Sequence, residues 1–227
     1  MSRKLLDLGC GAGGAAWGYH LAGFDDITGV DINPQPRYPF NFVQANMLTF
    51  LLEGYDAIHL SAPCQFAALA TLSQRKQGKV YPDLITPMRP RLEASGSLWV
   101  MENVPGAPLR GDLRLCGCHF GLEIPGVGEL RRERWFETSW HGSGDLPEHR
   151  HALPAISIAG HGTPQWMRAK TGHVGVALWR EIMGIGWTTR AELTEAVPPA
   201  YTEYVGKAIL TELRRRADGR RKHSPQT

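Results

Sequence analysis

Strand-like and helix-like segments alternate through the first hundred residues, and this rhythm limits the fold more than any other feature of the chain. "RKLLDLG" is a short apolar run that stops at glycine. "GGAAWGYHLAGF" follows with apolar residues at helical spacing, and Gly23 offers a stop. "ITGVDI" reads as a second strand ending in an acid, "FNFVQAN" as a third, "LTFLLEG" as a short helix, "YDAIHLSA" as a fourth strand and "SLWVMENV" as a fifth. Strands connected in this way pair in parallel through right-handed crossovers. The expectation is an α/β, doubly wound, Rossmann-like sheet. In such a sheet ligands sit at the carboxyl ends of the strands. Those ends are residues 7–14, Asp31, Asn46, residues 61–65 and residues 102–104.

The rhythm breaks after Pro105. Residues 106–182 are rich in glycine, proline, histidine and tryptophan, with short extended runs such as "RWFETSW" and "AISIAGHG". This predicts a small, irregular, β-leaning lobe. Helical patterns return in "VALWREIMG", "TRAELTEA" and "PAYTEYVGKAILTELRRR", the last with Tyr201, Val205 and Ile209 on one face. The expected division is a catalytic domain over 1–125, the lobe over 126–182, returning helices over 183–216 and a disordered basic tail over 217–227.

A chain of 227 residues can bury one sizeable core. Its formal net charge of +3 supplies no strong overall field for nucleic acid. The arginines, however, gather in "RRER" and "RRRADGRRKH", and such clusters suit phosphate contacts. No apolar stretch resembles a signal peptide or a membrane span, so the four cysteines read as reduced thiols in a cytoplasmic protein. Cys116 and Cys118 form C-x-C with His119 beside them, which hints at a metal. No second ligand pair stands at usual zinc spacing, the histidines of "HGSGDLPEHRHALP" read as loop polarity, and no metal is expected.

Three stretches carry chemistry. In "DLGCGAGG" a strand turns into a helix through glycines that let backbone N–H groups approach a ligand. Asp31, at the end of the second strand, is placed for ribose hydroxyls. In "SAPCQ", Cys64 follows proline at a strand end, where a core cysteine has no need to be and where a thiolate can meet N–H groups and cations. In "MENVPG", Glu102 closes the fifth strand as a candidate proton donor, with Asn103 holding the loop.

Together these stretches resemble the DNA cytosine-5 methyltransferases, and most of all a compact bacteriophage or prophage type. "PCQ" at 63–65 is similar to that family's nucleophile motif and "ENV" at 102–104 to its glutamate motif. "LRRERWFETS" is similar to its arginine motif, "GVDINP" to its ribose-binding turn and "AVPPAYTEYVG" to its closing helix. The resemblance implies a class I methyltransferase fold with Cys64, Glu102, Arg132 and Arg134 as catalytic residues. It implies S-adenosyl-L-methionine as cofactor, held by Asp7, Gly9, Cys10, Gly11, Gly13, Gly14, Asp31, Ile32, Asn46, Pro63, Glu195 and Val197.

Double-stranded DNA is the implied partner of a monomer that contacts no membrane, in phage protection or a restriction–modification system. "GHGTPQWMRAKTGHVG", basic and aromatic, would lie against a groove. An RNA-directed cytosine-5 methyltransferase and a catalytically weak DNA-binding relative are the alternatives. The chain departs from the family pattern at Gly9, Asn46, Ala62, Leu130 and Glu195.

Overall fold

The computed structural model describes residues 2–141, 146–158 and 175–222. The five expected strands form as β1 (Lys4–Leu8), β2 (Asp26–Asp31), β3 (Asn41–Gln44), β4 (Ala57–Ser61) and β5 (Leu98–Asn103). They pair in parallel in the order β3-β2-β1-β4-β5. Two later strands extend this sheet. β9 (Arg134–Thr138) runs antiparallel between β5 and β6 (Leu113–Leu115).

The period-two alternation of the strands sorts their side chains between two cores. Leu5, Ala57 and Val100 join a cluster with Tyr19, Tyr201, Val205 and Ile209. That cluster lies under helices α1 (Gly14–Ala22) and α6 (Pro199–Lys222). Leu6, Leu8, Ile58, Trp99 and Met101 join Met88 and Leu92 under α3 (Ile85–Ala94) on the other face. α1 and α6 approach closely because Gly18 has no side chain: a Cβ there would lie 2.1 Å from both Pro199 O and Thr202 Oγ1.

The lobe is smaller. β7 (Glu123–Ile124), β8 (Gly128–Leu130) and β10 (Ala155–Ile156) form a sheet in the order β10-β8-β7. Leu130 and Ile156 pack with Trp179, Ile182 and Met183 of α4 (Val176–Met183) and Leu193 of α5 (Arg190–Glu195).

Three expectations need correction. "LTFLLEG" is a series of turns, with Leu51 74% exposed and only Leu52 of its three leucines deeply buried. α3 and the short α2 (Leu72–Lys76) were not anticipated. Pro87 and Pro90 in "ITPMRPRLEA" argue against a helix, but Asp83 Oδ1 caps its start by accepting the N–H groups of Ile85 and Thr86 at 2.9 and 3.1 Å. The final helix runs through Lys222, so residues 217–222 are helical rather than a disordered tail. Apart from Gly175, the basic aromatic stretch expected to meet DNA lies outside the described residues. No helix among the described residues is long and apolar enough to cross a membrane.

Candidate active site

β1 ends at Leu8, and the glycine turn begins at once. Gly9 takes φ +71°, and a Cβ there would lie 2.2 Å from Ser61 O, so only glycine lets the turn rest against the end of β4. Gly11, at φ +48°, has open space where its side chain would be. Its N–H donates to Asp31 Oδ2 at 3.1 Å, while Asp31 Oδ1 accepts from the Asn33 N–H at 2.9 Å. The carboxylate at the end of β2 is thereby oriented beside the turn. These residues line a cavity of about 330 Å³, together with Cys10, Gly14, Ile32, Asn46, Pro63, Glu195 and Val197. Ile32 is 65% exposed, an apolar surface offered to a flat ligand. Asn46 Oδ1 accepts from the Leu48 N–H at 2.9 Å, so its amide oxygen also serves the local turn.

Two residues expected at the cofactor do not reach the cavity wall. Asp7 is fully buried beneath the turn, with Tyr38 O–H donating to its Oδ2 at 3.2 Å. Burial raises its pKa from 3.8 to about 7, against the Tyr38 hydrogen bond. Gly13 starts the packing of α1 on Tyr38 and Pro39: a Cβ there would lie 2.6 Å from Pro39 Cδ.

The same cavity receives Cys64, Glu102 and Arg134. Cys64 opens a tight 3₁₀ turn after Pro63 (Cys64–Phe66) and is half-buried. Asn103 latches that loop, donating from Nδ2 to Ala62 O at 2.8 Å. Burial pushes the Cys64 thiol up; Arg134 pulls it down, Glu102 adds to the rise and Arg132 opposes it. The β4–β5 register sets Ser61 opposite Glu102, and β9 beside β5 brings Arg134 to the same end of the sheet. Arg134 Nε lies 2.9 Å from Glu102 Oε1 as an ion pair. The N–H is not aimed along that line, and Oε1 is buried without a hydrogen bond. Burial also raises the Glu102 pKa, with Arg134, the Ser61 hydrogen bond and Arg132 working against it.

Behind Glu102 runs a chain of polar groups. Ser61 Oγ donates to Glu102 Oε2 at 3.0 Å, His59 Nε2 lies 2.8 Å from Ser61 Oγ, and Tyr19 O–H lies 2.9 Å from His59 Nδ1. Burial lowers the His59 pKa to about 3, so the ring is neutral. With the Ser61 proton directed at Glu102, Nε2 carries the imidazole hydrogen and Nδ1 accepts from Tyr19. His59 and Ser61 lie two apart on β4 and so share the face that α1 covers. Sequence reasoning missed this set. Its one signal is a lone histidine inside the apolar run "YDAIHL".

Arg132 departs from its expected role. It is 7% exposed, and its guanidinium donates to the carbonyls of Ala196, Ile158 and Thr194 at 3.1, 3.1 and 2.7 Å. Burial and the neighbouring Arg134 lower its pKa to about 9. It does not line the cavity; it ties Ile158 and the end of α5, at Thr194 and Ala196, to the segment leading into β9. Glu195 lines the cavity, its pKa raised by burial and then by Asp31 and Glu192. Glu192, also on the wall, was not anticipated. It forms a two-pronged ion pair with Arg37, with Arg37 Nη2 2.7 Å from its Oε1, and is held down to about 2, chiefly by that hydrogen bond.

No protein-family model and no curated protein matches the chain. Solved structures do. Dnmt2 methyltransferase from S. pombe superimposes with a TM-score of 0.58 at 12% identity, covering 94% of this chain and 99% of that one. The Entamoeba histolytica methyltransferase EhMeth gives 0.58 at 11% identity over 94% and 99%. A candidate DNA modification methyltransferase encoded within an E. coli prophage is 21% identical over 60% of this chain, with a TM-score of 0.40, and the match spans 45% of that protein. The sheet order and the first two of these likenesses establish that the chain has the fold of the class I S-adenosylmethionine-dependent methyltransferases.

Proposed function

We propose that the protein transfers a methyl group from S-adenosyl-L-methionine to carbon 5 of cytosine in double-stranded DNA, acting as a monomer on a base flipped out of the duplex. One observation carries this reading: Cys64, Glu102 and Arg134 share a cavity with the glycine turn and Asp31. The residues present fit the methyl donor. The open face of Gly11 leaves room beside the turn, the Asp31 carboxylate suits ribose hydroxyls, and exposed Ile32 suits one face of adenine. When bound, the donor supplies an electrophilic methyl group on a sulfonium.

Carbon 5 of cytosine is too poor a nucleophile to take that methyl group unaided. Cys64 releases its thiol proton to solvent and its sulfur bonds to carbon 6 as the carbon 5–carbon 6 π bond breaks, moving that electron pair onto carbon 5. Glu102, its pKa raised by burial, lends a proton toward N3 as the reaction proceeds and offsets the charge that develops there. Arg134 stabilises the same charge from the carbonyl oxygen. After methylation a base removes the carbon 5 proton, the ring double bond reforms and the Cys64 sulfur leaves with its electron pair. Burial, the largest influence on the Cys64 thiol, disfavours its thiolate, and Arg134 favours it.

Duplex DNA carrying 5-fluorocytosine tests this, because fluorine blocks the final proton loss. The wild type should form a covalent adduct and Cys64→Ser should not; equal trapping by both overturns the mechanism. Label from the tritiated donor should enter duplex DNA, and entry into tRNA alone would overturn the DNA substrate. Bisulfite sequencing of DNA from expressing cells would then give the target bases.

A further inference from the structure

The end of β6 and the segment leading into β10 bring four soft or borderline ligands together. One ligand atom from each of Cys116, Cys118, His149 and His151 lies within 4.8 Å of all the others. Nε2 of His149 and Nε2 of His151 are 3.1 Å apart, and His151 Nε2 is 3.9 Å from Cys116 Sγ. Bonds of about 2.3 Å to sulfur and about 2.0–2.1 Å to nitrogen at tetrahedral angles set ligand atoms roughly 3.3–3.8 Å apart. The 3.1 and 3.9 Å spacings lie near that range, and the remaining pairs are within 4.8 Å.

The surroundings point the same way. His151 Nδ1 is 2.6 Å from Glu129 Oε1, so its other nitrogen is the one aimed at the cluster. Glu129 is 5% exposed on β8 and is itself steadied by Arg131 Nε at 3.3 Å and the Ala152 N–H at 3.4 Å. A carboxylate behind a histidine fixes the ring and raises its basicity toward a metal. Hydrogen bonding among two thiols and two imidazoles gives little reason for such convergence, since sulfur is a weak partner.

We infer that Cys116, Cys118, His149 and His151 form a structural site for a zinc ion. Four protein ligands close the tetrahedron and leave no position for a reacting water, so the site is a staple rather than a second centre of catalysis. Two thiolates exclude magnesium and calcium, which take oxygen ligands. Each thiol gives up its proton on binding, and the neutral imidazoles give up none. The staple joins the end of the main sheet to the lobe. None of the four residues lines the cavity, so the inference stands apart from the proposed reaction.

Elemental analysis of the full chain, purified under reducing conditions without chelator and dialysed, tests it. About one zinc per chain should remain. Replacement by Co²⁺ should give the intense visible bands of a tetrahedral ion with a thiolate-to-metal absorption in the near ultraviolet. His149→Ala and Cys118→Ser should retain less than about a tenth of the metal, while His119→Ala keeps it in full. Glu129→Gln should weaken zinc binding by about 10–100-fold. Folded wild type that holds no metal, gives a Co²⁺ spectrum without thiolate absorption, or carries a Cys116–Cys118 disulfide overturns the site. Because the wild type alone decides the matter, a ligand variant that fails to fold leaves the test intact.

Discussion

Arg134 opens β9 and Arg132 lies two residues before it, yet they belong to different regions. Arg134 faces a carboxylate whose Oε1 is buried without a hydrogen bond. Arg132 gives three of its five guanidinium N–H groups to backbone carbonyls and does not line the cavity. The same contrast separates the rim of the main sheet from its seam with the lobe. At the rim, Glu102 and Cys64 are shifted upward by burial with their partners only partly made. At the seam, Glu129 meets His151, Arg131 and a backbone N–H. Buried polar demand that is met holds structure together; the open Glu102 Oε1 instead stands on a cavity wall, where the proposed substrate would meet it.

Glu102→Gln should cut deepest into the rim's side of this contrast. It should lower kcat by about 10²–10⁴-fold while leaving the urea midpoint unchanged or higher; a larger loss of stability than of turnover would break the contrast. Arg132→Met should do the reverse. Three carbonyls lose their donor, and unfolding should become easier by about 3 kcal/mol in urea titration. Normal stability with lost turnover would return Arg132 to catalysis.

Asp7→Asn sharpens the comparison through pH. The folded-state pKa of about 7 lies above the ordinary 3.8, so between these values the folded chain holds a proton that the unfolded chain has released. This contribution is fully present below pH 3.8 and is lost as pH rises to about 7. The wild type should lose stability across that window relative to Asp7→Asn, and parallel profiles would refute the shift. His59→Leu should lower kcat about tenfold by freeing Ser61 from its orientation toward Glu102, with no change in donor affinity. Arg37→Ala should be smallest, leaving the urea midpoint almost where it was, since its bridge to Glu192 is exposed on the arginine side.

What the sequence made legible were residues whose chemistry is tied to short spacing. Cys64 beside proline, Glu102 at a strand end and the glycine turn with Asp31 all converge on one cavity. Long-range partnership was not legible. The motif around "RRER" could not say that Arg132 would be tied to carbonyls of residues 158, 194 and 196. "CGCH" suggested His119 as the companion of the two thiols, but the fold brings His149 and His151 instead, and no local pattern links them. α3 stayed hidden behind its prolines because tertiary burial of Met88 and Leu92 outweighs local preference.

The cavity takes walls from residues as distant as Gly9 and Val197. A chain emerging from the ribosome therefore carries its glycine turn and Cys64 well before Glu195, Ala196 and Val197 arrive to complete that wall.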